Sequence, residues 1–241
     1  MYDKVVSLGY NCEVSFRIED YFGSIDAMPF SWSFTLNRDK FADAMREPEK
    51  LLSEGITVRD DHMLMCNRYE LKFHPRYSIF PQFGEYTEEQ LTEATAELTD
   101  RVKHLADKFN NLCNSDLRTL FVMKVEDKGT EDNKKYIESV LNTLNTKYVS
   151  GNFTLAAVVL ESAVNDDILA LASDKVKIFS VKKFAPIKHT NIMGDMSGWK
   201  YIFSVLEPDL AGKNKFYSKV NARRRKWFFE TLKRKLKIGE R

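Results

Sequence analysis

The alternation of apolar and polar positions divides the chain into short apolar runs separated by helical repeats. Val5-Val6-Ser7-Leu8 is a brief apolar run closed by Gly9, the pattern of a buried strand. Asn11 is placed to cap a helix from Cys12 to about Tyr21, with Val14, Phe16, Ile18 and Tyr21 as its apolar residues. Pro29-Phe30-Ser31-Trp32 reads as a loop carrying two large aromatics. Helices are expected over Asp39–Met45 and Glu49–Leu52, and short β-like pieces over 56–83, among them Tyr69–Phe73. Pro75 and Pro81 punctuate a loop there.

Thr87-Glu88-Glu89-Gln90 is a capping box that opens the longest helix, ending near Cys113. Leu91, Leu98, Val102, Leu105, Phe109 and Leu112 recur along it at helical spacing. The apolar strand Thr119–Met123 follows, then a helix from Glu131 to Tyr148 and the strand Phe153–Leu160. A short helix over Asp166–Ala172 leads to the strand Val176–Val181, and a last helix carries Tyr201, Ile202 and Phe203. Strands that are apolar throughout and alternate with helices predict a parallel sheet covered on both faces. The expected fold is therefore a three-layer α/β domain with a mostly parallel sheet, Rossmann-like or GDSL-hydrolase-like in layout. It spans residues 1–212, and a basic helical segment follows over 213–241.

Charge supports that division. The 241 residues carry 37 basic and 35 acidic side chains, a net of +2. Lys213–Arg241 holds 12 basic and 2 acidic residues, a net of +10, which leaves the first 212 residues at −8. The break falls at Pro208-Asp209-Leu210-Ala211-Gly212. Three cysteines, at 12, 66 and 113, cannot all pair and form no CxxC motif, so a disulfide scaffold and a CxxC metal or redox site are excluded. No apolar run reaches the roughly 18 residues of a membrane span. The first residues lack the features of a signal peptide, and a cytoplasmic location with reduced thiols is expected. Neither a cofactor nor a metal is expected.

The candidate chemistry lies at the first strand-to-helix turn. In open α/β sheets ligands bind beyond the carboxyl ends of the strands, where Gly9-Tyr10-Asn11-Cys12 sits. Gly9 permits a tight turn. Cys12, at the helix start, meets unpaired N–H groups and a dipole that favour a thiolate, and Gly9 and Asn11 belong to the oxyanion or ligand loop. Packing offers the plainer account of a lone cysteine. Of the four histidines, His74 and His189 are the candidate bases, with Asp195 as a candidate orienter. Asp195 equally reads as the N-cap of the following helix, within Gly194-Asp195-Met196-Ser197-Gly198-Trp199.

These motifs resemble a bacterial family of unknown function that is assigned to the papain-like cysteine peptidases. The resemblance rests on Ser7-Leu8-Gly9 with Cys12, on Pro29, Phe30 and Trp32, on Phe73-His74, and more loosely on Leu120-Phe121-Val122 and Gly194-Asp195 with Trp199. It runs from about residue 4 to 205. Ser31 and Pro75 stand where the family pattern has acids. The resemblance implies Cys12 as nucleophile, His74 as base, and a pocket that includes Phe30 and Trp32. The strand–helix layout itself looks closer to GDSL-type esterases, whose nucleophile also follows the first strand.

Two functions are expected from these readings. The first is a thiol hydrolase or acyl-transfer enzyme acting on a peptide, an ester or an acylated glycan. The second is a non-catalytic anion- or glycan-binding module docked to a membrane-associated partner. In the basic segment Arg223–Lys226, Trp227, Phe228, Phe229, Leu232 and Leu236 alternate bases with apolar groups. Packing on the domain and contact with an anionic membrane surface are both expected of it, and nucleic acid is its least favoured partner.

Overall fold

A computed structural model describes residues 2–23, 25–59, 62–75, 85–186 and 194–206. The chain begins with strand β1 (Lys4–Ser7) and helix α1 (Glu13–Phe22). Strand β2 (Ser33–Thr35) and helix α2 (Arg38–Arg46) follow, then a single 3-10 turn over Pro48–Lys50 in place of the expected helix at 49–52. Three short strands come next: β3 (Ile56–Val58), β4 (Leu64–Cys66) and β5 (Leu71–Phe73). The rest runs α3 (Glu88–Cys113), β6 (Thr119–Lys124), α4 (Thr130–Lys147), β7 (Phe153–Leu160), α5 (Asp166–Leu169), β8 (Val176–Val181) and α6 (Met196–Leu206).

The expected parallel sheet is present, in the order β1-β6-β7-β8, with every pair parallel. Its two faces are read directly off a period of two. Val5, Leu120, Val122, Ala156 and Val158 pack under α1 and α6, against Val14, Ile18, Phe22, Trp199 and Phe203. Val6, Phe121, Met123, Leu155 and Ala157 face the other way, toward Phe109 of α3 and Ile137, Val140 and Leu144 of α4. The fold is thus three-layered and α/β. Among the described residues no helix is long and apolar enough to cross a membrane.

A second sheet lies on the α3 and α4 side. It is antiparallel, ordered β2-β5-β4-β3, and built of three-residue strands. Its strand β2 directly follows the expected aromatic loop at 29–32. The β2 edge ties to the first turn, since the Thr35 N–H donates to the Tyr10 carbonyl at 3.0 Å. Leu64, Leu71 and Phe73 send their side chains into the same core as Phe109 and Phe121. The long helix starts where the capping box places it: Thr87 Oγ1 accepts from the Gln90 N–H, and the Gln90 side chain accepts from the Thr87 N–H. His189 and the basic segment 213–241 lie outside the described residues.

Candidate functional site

The turn after β1 is shaped by close approach. Gly9 has φ +77°, and a Cβ there would sit 2.7 Å from the Phe30 carbonyl oxygen. Tyr10 follows at φ +66°, a left-handed conformation unusual for a residue with a side chain. The helix begins one residue later than expected, at Glu13 with Cys12 in the N-cap position, and Asn11 still reaches its start, Oδ1 accepting from the Glu13 N–H at 3.0 Å. The Asn11 side chain is fully buried, and its Nδ2 has no hydrogen-bond partner.

Cys12 sits at the mouth of α1, but its residue is only 5% exposed. Burial pushes its thiol up to about 12, so desolvation outweighs the helix start that would favour a thiolate. His74 is exposed at the end of β5. Its ring meets Phe34 edge-on at 5.5 Å, and its carbonyl accepts from Arg101 Nη2 at 2.6 Å. It lines a cavity of about 220 Å³ with Trp32, Phe73 and Arg101, and Cys12 is not among the lining residues. Trp32 meets Phe16 edge-on at 5.0 Å. Phe30 is fully buried between Phe41 and Phe109 and belongs to the core rather than to a pocket.

Asp195 takes the capping role. Its Oδ1 accepts from the Gly198 N–H and the Ser197 hydroxyl, both at 2.9 Å, and its Oδ2 accepts from the Lys182 N–H at 3.0 Å. The Lys182 and Gly198 N–H groups hold this carboxyl below its ordinary value. Gly194, at φ +97°, leaves room for Glu13: a Cβ there would lie 2.8 Å from Glu13 Oε1. Trp199 Nε1 donates to the same oxygen at 3.2 Å.

Glu13 is therefore a hub. Its carboxylate and the Lys124 ammonium are both 0% exposed and lie 3.1 Å apart. The Ala185 N–H also donates to the Glu13 carboxylate, at 3.0 and 3.1 Å to its two oxygens. Lys124 ends β6, so it stands at the carboxyl edge of the sheet beside Tyr10. It pairs at 3.1 Å with Glu126 as well, and its ammonium lies 4.4 Å from the Phe184 ring centre and 5.7 Å from that of Tyr10. The Arg38 guanidinium is 5.6 Å from the Tyr10 ring and 5.0 Å from that of Tyr136. Arg38 donates to Asn133 Oδ1 at 2.9 Å and to the Glu126 carbonyl. Burial, aided by the hydrogen bond to Glu126, pushes the Tyr10 phenol up to about 12.

Beside this cluster a groove of about 540 Å³ runs between the start of α2 and α4. Arg38 and Tyr136 are nearly buried yet line it, so they form its base. Arg38 Nε lacks a hydrogen-bond partner. The Tyr136 hydroxyl and Thr35 Oγ1 interact without reaching good hydrogen-bond geometry, and neither has another partner.

The sequence reading did not single out Tyr10, Glu13, Arg38, Lys124, Glu126, Asn133 or Tyr136. One signal was present for Lys124, a charge that closes the apolar run Thr119–Met123 at a strand end. Among the described residues no group of three His, Cys, Asp or Glu side chains is placed to hold a metal. No family model, no curated protein and no solved structure matches this chain.

Proposed function

We propose that this chain is a non-catalytic binding module for a neutral, hydroxyl-rich ligand of the glycan class, held in the groove between α2 and α4. The observation that carries this reading is the base of the groove. There the Tyr136 hydroxyl and Arg38 Nε are buried without a well-formed hydrogen bond, and a buried polar group left unpaired costs about 1–3 kcal/mol. Both atoms are closed to solvent, so a ligand hydroxyl pairs with them only as the Arg38 and Tyr136 side chains shift to open the base. The walls favour a neutral occupant, because Arg38, Lys128 and Lys135 are balanced by Asp39, Asp132 and Glu138. Asn37, Ser139 and Asn142 add amide and hydroxyl groups along it. The first turn is a poor anion site by comparison, since the buried Glu13 carboxylate stands just behind it.

The thiol-hydrolase reading, with Cys12 as nucleophile and a peptide, ester or acylated glycan as substrate, retains one support. Cys12 lies on a strand-to-helix turn that holds Tyr10 in a strained conformation, as nucleophile turns do. The buried thiol with its raised pKa favours the module. A cytoplasmic location fits three free cysteines, Cys12, Cys66 and Cys113.

The test is calorimetric titration of the chain with neutral oligosaccharides and, separately, inorganic phosphate. Tyr136→Phe removes only the hydroxyl. It should weaken oligosaccharide binding about tenfold while leaving stability unchanged or slightly higher, because the hydroxyl has no good protein partner to lose. Binding of phosphate alone, or an oligosaccharide affinity indifferent to Tyr136→Phe, would overturn the reading.

A further inference from the structure

We infer that the outer face of α6 is a docking surface for an anionic lipid bilayer. The helix buries Trp199, Ile202, Phe203 and Leu206 against the domain. On the opposite side Tyr201 is 67% exposed and Val205 55% exposed. They are four residues apart on a helix and so form one patch, with exposed Lys200 beside it. A groove of about 470 Å³ between α1 and α6 adjoins the patch and is lined by Tyr21, Met196 and Phe203 among others.

Charge names the occupant. The first 212 residues carry a net of −8 and the following 29 a net of +10. Lys213 is eight residues beyond Val205, so whatever path the chain takes the basic stretch begins within about 29 Å of the patch. That stretch also holds Trp227, Phe228, Phe229, Leu232, Leu236 and Ile238. An anionic bilayer answers both features at once, with phosphates for the bases and an acyl layer for the aliphatic and aromatic groups. A nucleic acid answers the charge but offers no apolar layer to Val205, Leu236 or Ile238. With the first 212 residues at −8, the basic stretch that follows α6 is the part of the chain an anionic surface attracts.

The test is sedimentation of the 241-residue chain with vesicles of phosphatidylcholine, and with the same vesicles containing a minority of phosphatidylserine. Binding only to the phosphatidylserine vesicles, released by high salt, is expected. The double variant Tyr201→Glu with Val205→Glu should bind at least about tenfold more weakly while its circular dichroism is unchanged, since both side chains point outward. Three results would overturn the inference: no vesicle binding, vesicle binding untouched by the double variant, or retention on duplex DNA without retention on vesicles.

Discussion

The Glu13–Lys124 pair offers the sharpest test of how the carboxyl edge is held. Its charges are 0% exposed and 3.1 Å apart, a gross attraction of about 5 kcal/mol at an effective dielectric of about 20. Desolvation offsets most of that, so the pair matters chiefly through what is left when one partner is removed. Lys124→Met strands a buried carboxylate that keeps only the Ala185 and Trp199 N–H donors. A cost of about 3–5 kcal/mol is expected. Glu13→Gln should cost less, about 2–3 kcal/mol, because Lys124 retains Glu126 at 3.1 Å. In the double variant no buried charge is stranded, and the amide that replaces the Glu13 carboxylate can still accept from Trp199. The double variant should therefore cost no more than Lys124→Met alone, a coupling of about 2–3 kcal/mol. Urea denaturation followed by circular dichroism reads each step. With a slope of about 1–3 kcal/mol per molar, a loss of about 3 kcal/mol moves the midpoint by about 1 M or more. If the two single losses simply add, the pair is not acting as a unit and the reasoning fails.

Three further outcomes are expected. Gly9→Ala should destabilise the fold by about 2–4 kcal/mol in the same assay. It places a side chain at φ +77° and a Cβ 2.7 Å from a backbone oxygen that β2 fixes in place. Burial pushes the Asp26 carboxyl up, but hydrogen bonds from Lys108 and Lys4 more than offset this, so it titrates below its ordinary 3.8. A depressed carboxyl stabilises the fold above its unfolded pKa and loses that contribution as pH falls through its folded pKa. The deficit of Asp26→Asn, about 1 kcal/mol at neutral pH for this partly exposed site, should therefore shrink in denaturation curves taken below about pH 4. Iodoacetamide, followed by mass spectrometry, should label Cys12 near pH 7 no faster than Cys66 and Cys113, all three being buried. Selective labelling of Cys12 well below pH 8, slowed by His74→Ala, would restore the thiol-hydrolase reading.

The parallel sheet was legible because its central strands are buried on both faces. Leu120–Met123 and Leu155–Leu160 had to be written as unbroken apolar runs. The antiparallel sheet was legible only in part: short β-like pieces were expected over 56–83, where β3, β4 and β5 lie, but neither β2 nor the pairing was, and the cause is local. Three residues are too few to show a period, and its connections turn through His62 at φ +59° and Glu70 at φ +54° rather than through glycine or asparagine. Asn11 and the Thr87 box marked their helix starts because such a contact lies within three residues. The charged cluster was invisible for the opposite reason. Lys124 lies 111 residues from Glu13, and Ala185 lies 172 away. No window along the sequence holds both members of either contact.

That separation also bears on what the recurring motifs mean. Gly9, and more loosely Gly194, Asp195 and Trp199, are among the residues on which the resemblance to a cysteine peptidase family rests, and each of these four has a geometric task that needs no nucleophile. Gly9 admits the Phe30 carbonyl, Gly194 admits the Glu13 carboxylate, Asp195 starts α6, and Trp199 donates to Glu13. Cys12 lies between the residues so used, one position before the hub carboxylate. Cys12 is small and buried at that position, and loss of solvent is what raises its thiol pKa. Reading the turn as the clasp that joins β1, β6 and α6 therefore accounts for the motif residues together with the raised thiol pKa. A catalytic reading accounts for the motif and leaves the thiol unexplained.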